Sequence, residues 1–435
     1  MKFTKLFLEC MILHFFLTGI SLSCAQAQTT EFLYGDTLPD APELSARGHY
    51  EVGVQTFNLI NPDQVDILNS KGGKDPKYNR PITIEVWYPA ESEENAKAVV
   101  YVEVMGKSND SLRPLIPFTF KGRAYRGANP VITDGKFPLI IISHGYVGSR
   151  FLMTYLTENL ASKGYVVVAI DHTDSTFKDA NAFQSTLLNR PKDIRFVLNE
   201  MEKIGARGSS SNLEGLVDAT NSAIIGYSMG AYGVLNVGGA GYSDALAGYF
   251  TEMTSGSSAI SVNLESNPEY RQMSDNRIKA IVAFAPWGME RGVWDAEGIK
   301  GLKTPTFFVA GSEDDISGYE KGTKAIYEGT INANRYLLTY KNARHNVAPN
   351  PPPAEALAPG LSILEYYRYA EPSWDQRKIN NINQHFLTAF LGIHLKHKDY
   401  HKFLDLQKNS NEKDWTGFKP RSSTGMELLH ADKSN

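Results

Sequence analysis

Five residues, Gly226-Tyr227-Ser228-Met229-Gly230, constrain this chain more than any other stretch. Before them lies Ala223-Ile224-Ile225, an apolar run of buried-strand type, and after them Ala231-Tyr232-Gly233-Val234-Leu235-Asn236 can continue as a helix. The pattern predicts a strand, a tight turn with Ser228 at its apex, and a helix. So sharp a turn pushes the serine backbone into a sparsely populated conformation. A Cβ two residues before or after it would collide with the adjoining strand or helix, which is why glycines stand at both places. Ser228 Oγ then sits above the sheet, with the first N–H groups of the helix aimed at any negative charge developing there. With 36 Gly in 435 residues the pentapeptide alone is weak evidence, so its partners decide.

An acid and a base follow in the right order. Thr304-Pro305-Thr306-Phe307-Phe308-Val309-Ala310 reads as a strand buried on both faces, and it runs into Gly311-Ser312-Glu313-Asp314-Asp315-Ile316. Asp314 is the candidate orienting acid, with Asp315 as the neighbour that could displace it. The competing reading is that these acids cap a helix starting near Ser317. The strand-like run Arg335–Tyr340 and a polar loop lead to His345, the candidate base. Of the ten histidines, His385 reads as a packed core residue among Ile382, Phe386 and Phe390, His430 falls in a polar tail, and His394, His397 and His401 share a lysine-rich face.

A neutral serine hydroxyl is a poor nucleophile and needs a base within hydrogen-bond reach. His345 would take its proton and pass it to the leaving group, while Asp314 fixes the imidazole tautomer. The oxyanion needs donors. Met229 N–H is one, and the second belongs to the loop after the strand Phe137–Ser143, where Tyr146 N–H is the candidate in His144-Gly145-Tyr146-Val147-Gly148. His144 reads as a loop-shaping residue, and Tyr227 and Trp287 as candidate pocket residues.

The run Ile142-Ser143-His144-Gly145-Tyr146, the stretch Ala161-Ser162-Lys163-Gly164-Tyr165 through Asp171-His172, the strand Ile82–Pro89 and the helix from Arg190-Pro191-Lys192-Asp193 carry a resemblance. They resemble the platelet-activating-factor acetylhydrolase and dienelactone-hydrolase-like branch of the α/β-hydrolases, over about residues 48–400. The order Ser, Asp, His along the chain is also that of the α/β-hydrolases. The resemblance implies an α/β fold with a mostly parallel central sheet, helices on both faces and cap insertions. It implies a serine esterase acting through Ser228, Asp314 and His345, with oxyanion donors at Tyr146 and Met229, on short-acyl esters of small molecules or lipids. Dienelactone hydrolases use a Cys nucleophile, so their ring-opening is not implied. Tyr146 with Met229, and Trp287 in Phe284-Ala285-Pro286-Trp287, are also similar to the donors and pocket tryptophan of cutinase-like polyester hydrolases. A peptidase, a thioesterase or a non-catalytic ligand-binding relative are the remaining alternatives.

The rest of the chain is read around this site. Lys2 and Lys5 precede an apolar stretch from Leu6 to Ser23, then Ala25-Gln26-Ala27, which predicts a signal peptide over residues 1–27 and a secreted or periplasmic protein. The alternatives are an uncleaved membrane anchor and lipid attachment at Cys24, which has Ser21 where a Leu is usual. Cys10 and Cys24 are the only cysteines, so cleavage after Ala27 leaves no thiol, no disulfide and no membrane span. Residues 28–47 are expected as an exposed lead-in, 48–400 as the catalytic domain and 401–435 as a tail, with insertions at about 238–279 and 346–375 covering the site. The second insertion holds Tyr366, Tyr367, Tyr369 and Trp374, which could wall a substrate pocket or pack a small core of their own. A net charge of −4 and no basic stripe give no reason to expect nucleic acid, and no phosphate loop, metal spacing or cofactor motif is present. Asp171-His172-Thr173-Asp174 could mimic a metal cluster and is read instead as shaping the rim.

Overall fold

The sheet begins antiparallel, with β1 (Glu51–Val65) and β2 (Lys77–Ala90) paired from Glu51 opposite Ala90 to Val65 opposite Lys77. The computed structural model describes residues 31–92, 96–133 and 135–434, so the expected leader, its cleavage site and both cysteines lie outside the described residues. A hairpin follows that the sequence did not announce: β3 (Ala98–Met105) and β4 (Ile116–Arg126). Its outward positions include Val100 and Val102, 54% and 62% exposed, and those apolar residues hide the in–out alternation that marks a half-buried strand.

The parallel core is laid down by β5 (Phe137–Ser143), β6 (Val166–Asp171), β7 (Val217–Tyr227), β8 (Ile278–Phe284), β9 (Thr306–Gly311) and β10 (Arg335–Tyr340). With β11 (Met426–Ala431) they form one eleven-stranded sheet in the order β11-β10-β9-β8-β7-β5-β6-β2-β1-β4-β3. Alternate residues of each core strand feed opposite faces. Ile140, Ile142, Val167 and Ile225 pack with helices α1 (Thr154–Ser162) and the last long helix, whereas Leu139, Ile141, Val168 and Ile224 pack with α2 (Phe183–Ile204) and α3 (Met229–Val237). Burial on both sides is why these strands read as continuous apolar runs.

Helix α4 (Asp244–Met253) lies in the first insertion, and α5 (Gln376–Lys396) is the last long helix. Ile379, Ile382, Phe386 and Phe390 of α5 face the core, as their spacing predicts. His385 is fully buried beside them.

Both expected margins are corrected. From residue 33 to 47 the chain is strapped to the domain: Leu38 N–H donates to Asn381 Oδ1 (2.8 Å), Leu44 N–H to His385 Nδ1 (3.0 Å), and Asn159 Nδ2 and Lys163 Nζ reach the Ser45 and Leu44 carbonyls. The segment has no periodicity because its backbone is satisfied by helix side chains, not by an element of its own. At the other end, 426–431 is the edge strand β11, pairing Leu337 with Leu429, and His430 stacks on Tyr336 at 4.2 Å. Its short Met-Glu-Leu-Leu-His-Ala run carries too little alternation to stand out.

Candidate active site

Only Ser228 separates β7 from α3, at φ 53° and ψ −113°. The flanking glycines are required by space. A Cβ on Gly226 would lie 2.4 Å from the Gly230 carbonyl, and one on Gly230 only 1.9 Å from Ser143 O. Met229 opens α3, so its N–H has no partner one turn earlier and stays available beside Ser228.

Two further strand ends deliver the partners. His345 Nε2 lies 3.0 Å from Ser228 Oγ, and its Nδ1 lies 2.9 and 3.0 Å from the two oxygens of Asp314. Asp314 Oδ1 also accepts the N–H groups of Ile316 and Ser317 at 3.0 and 2.9 Å, so it caps a turn and faces the histidine at once. Two backbone donors fix that carboxylate without a rotatable partner. Asp315 makes no hydrogen bond to the histidine and pairs instead with Arg344 at the rim of the cavity that holds Ser228.

The loop from His144 to Gly148 carries Tyr146, whose hydroxyl donates to Asn181 O at 3.0 Å. Among the described residues no acceptor takes its backbone N–H. His144 is buried and shapes the loop: Nδ1 donates to Gly145 O (2.6 Å) and Nε2 accepts from His172 N–H (3.3 Å). Burial and the Arg190 charge hold His144 well below the usual histidine range, so it stays neutral.

Beneath the loop lies a polar network with no counterpart in the sequence reading. Arg190 donates to the carbonyls of His144 and Gly145, and Ser143 Oγ lies 2.8 Å from His172 Nε2. His172 Nδ1 lies 2.9 Å from Asp193, which Arg80 holds through two hydrogen bonds. Burial and Arg190 push His172 down to about 3. Burial works to raise Asp193, but Arg80 and His172 outweigh it and bring it to about 2. The three groups thus repeat a Ser-His-Asp sequence of hydrogen bonds, but Ser143 is fully buried and serves only to fix the loop. Asp171 pairs with Arg150 and Asp174 with Arg80, which makes the 171–174 cluster a brace for the rim. Among the described residues no group of three His, Cys, Asp or Glu is set to hold a metal ion.

These buried histidines have a consequence for stability. Burial and, secondarily, Lys163 push His385 down to about 3, like His172. Below a pH of about 6.5 the unfolded chain binds protons at both sites that the folded chain refuses. Stability should therefore be fully present above that pH and be lost on acidification toward 3, by about 2 kcal/mol per histidine at pH 5. Urea midpoints at pH 7.5 and 5 test this, with a shallower fall expected for His385→Gln; a flat profile would contradict it.

Ser228 and His345 open into a cavity of about 520 Å³, walled by Tyr146, Tyr227 and the second insertion through Leu364, Tyr367 and Arg368. Of the four insertion aromatics only Tyr367 lines it; Tyr369 is buried, Tyr366 packs on the core, and Trp374 donates to Lys341 O and meets Tyr340 edge to face. Trp287 is placed elsewhere. Its N–H donates to Ser228 O (3.3 Å), but its side chain lines a separate cavity of about 350 Å³ with Phe183, Leu246 and Tyr249. The first insertion borders that second cavity and not the one holding Ser228.

Sequence reasoning missed Glu371. Its two oxygens accept the N–H groups of Arg344 and Asn346, both at 2.5 Å, clamping the backbone on either side of His345. No motif signals this, because the contact joins a loop to an insertion. Glu371→Ala should lower kcat by about 10- to 100-fold with a smaller change in KM, since a displaced base costs rate more than binding. Glu371→Gln keeps one acceptor and should fall between; equal kcat in all three proteins would refute the clamp.

Comparisons with known proteins agree on the architecture. Residues 119–214, from β4 to just before β7, match the family described as platelet-activating factor acetylhydrolase, isoform II. That segment holds the Tyr146 loop and α2 but stops short of Ser228. The chain is similar to cutinase est2 of Thermobifida alba, 33% identical over 218 residues, covering 50% of this chain and 55% of that protein. It is also similar to bis(hydroxyethyl) terephthalate hydrolase of Streptomyces coelicolor, 23% identical over 215 residues, covering 49% and 52%. The chain thus spans little more than half the length of these curated relatives. A solved ferulic acid esterase from Streptomyces cinnamoneus superposes with a TM-score of 0.55 at 20% identity, over 90% of this chain and 100% of that one, a likeness of fold. The chain has the α/β-hydrolase fold.

Proposed function

We propose that this α/β-hydrolase is an exported serine carboxylic-ester hydrolase acting through an acyl-enzyme on short-acyl esters. The observation that carries the reading is the unbroken line of hydrogen bonds from Ser228 through His345 to Asp314, open to a cavity. In this reading Ser228 Oγ attacks the ester carbonyl as His345 Nε2 takes its proton, and Asp314 stabilises the imidazolium. The N–H groups of Met229 and Tyr146 receive the oxyanion, each worth about 3 kcal/mol in the transition state. His345 then protonates the leaving alkoxide. Water enters, gives a proton to the same nitrogen, and releases the acid. Short-acyl preference is supported by the match of the Tyr146 loop segment to the acetylhydrolase family. Export is supported by the leader pattern at residues 1–27; among the described residues no helix is long and apolar enough to cross a membrane.

A second reading, polyester hydrolysis on the same triad, is favoured by the names of the relatives, cutinase and bis(hydroxyethyl) terephthalate hydrolase. Rates on 4-nitrophenyl acetate, butyrate and palmitate, on acetanilides and on polyester film separate the readings. Acetate and butyrate should dominate. Faster release from film or palmitate would move the second reading forward, and anilide cleavage at comparable rates would make the protein an amidase.

A further inference from the structure

Arg368 lines the cavity that holds Ser228, and its charge is poorly matched by the protein. Its Nε is buried and has no hydrogen-bond acceptor among the described residues. Among the described residues the carboxylate in ion-pair range is Glu365, 4.0 Å from that nitrogen. Glu365 is already committed: it takes both Nε (2.5 Å) and Nη2 (3.1 Å) of Arg113, so two guanidinium groups share one carboxylate. Burial, and then the Arg113 charge, lower the Arg368 pKa from its ordinary value, which is the signature of a cation short of counter-charge.

The other charged groups on the cavity wall are satisfied. Asp315 pairs with Arg344, and Glu371 accepts the two N–H groups that flank His345. None of them neutralises Arg368. A partly buried guanidinium that is short of counter-charge and lines the nucleophile's cavity is a fork for a planar anion, since it can bind a carboxylate through two parallel hydrogen bonds. Resting on the ester-hydrolase reading of Ser228, we propose that Arg368 recognises a carboxylate carried by the ester substrate. The class is a monoester of a dicarboxylic acid or an ester of a carboxylate-bearing alcohol. Substrate binding would then supply the counter-charge that the fold withholds.

Two matched pairs test this and distinguish the two sources of the carboxylate. On the acyl side, 4-nitrophenyl hydrogen adipate is compared with 4-nitrophenyl hexanoate. On the alcohol side, 4-acetoxybenzoate is compared with 4-methylphenyl acetate. The quantity read is the ratio of kcat/KM for the charged over the neutral member, after subtraction of uncatalysed hydrolysis. In at least one pair that ratio should fall 10-fold or more in Arg368→Gln, through KM, and by less in Arg368→Lys, which keeps the charge but not the fork. It should also shrink as salt rises. An unchanged ratio in both pairs would overturn the proposal, including the case in which kcat/KM falls equally for the charged and neutral members, which would mark a packing role. If the wild-type protein turns over neither neutral ester nor charged one, the ester-hydrolase reading fails first and takes this inference with it.

Discussion

Ser228→Ala and His345→Ala should each lower ester turnover by about 10⁴-fold or more, with the fold intact. The reasoning is local. Alanine keeps the Cβ that Ser228 already places at φ 53°, so the elbow geometry between Gly226 and Gly230 is undisturbed. What disappears is the oxygen 3.0 Å from His345 Nε2. Removing His345 leaves that hydroxyl with no base. The double variant should be no worse than either single one, because the two residues act as a unit. Circular dichroism and unfolding midpoints beside the kinetics separate loss of chemistry from loss of fold. A Ser228→Ala protein that retains a tenth of its activity would mean another nucleophile is at work.

The second large effect lies one residue from a small one. Asp314→Asn should lower kcat by about 10⁴-fold, whereas Asp315→Asn should stay within a few-fold of the parent. Asp314 faces His345 Nδ1 with both oxygens and is locked by two backbone N–H groups. An amide there would favour the wrong imidazole tautomer and leave nothing to stabilise the imidazolium. Asp315 is 41% exposed at its side chain and paired with Arg344, and exposed pairs of that kind contribute about 0–1 kcal/mol. A severe Asp315→Asn with a mild Asp314→Asn would reverse the assignment.

Much of this site was legible from the chain because a parallel sheet advertises itself. Strands buried on both faces are short apolar runs, and reactive groups sit where those runs end, which led to Ser228, Asp314 and His345 in order. The elbow glycines were legible for a steric reason that the 1.9 Å and 2.4 Å approaches make concrete. Other features had no local signature. Glu371 reaches the backbone around His345 from an insertion, and the Arg190–His172–Asp193 brace joins α2 to the end of β6. Adjacency to the elbow does not say which way a ring turns: Trp287, expected in the substrate pocket, meets Phe183 edge to face at 5.4 Å and borders the other cavity. The strapped segment at 33–47 and the strand β11 were lost for a related reason. Their backbones are satisfied by distant partners, and no periodic pattern records that.

The most direct single measurement is covalent labelling with a fluorophosphonate, with the adduct located by peptide mass spectrometry and Ser228→Ala as control. An adduct on Ser228 alone, absent from the alanine variant, is the result expected of a serine activated by His345. No adduct in a folded sample, or one on another residue, would contradict an activated Ser228 and move a ligand-binding role to the front.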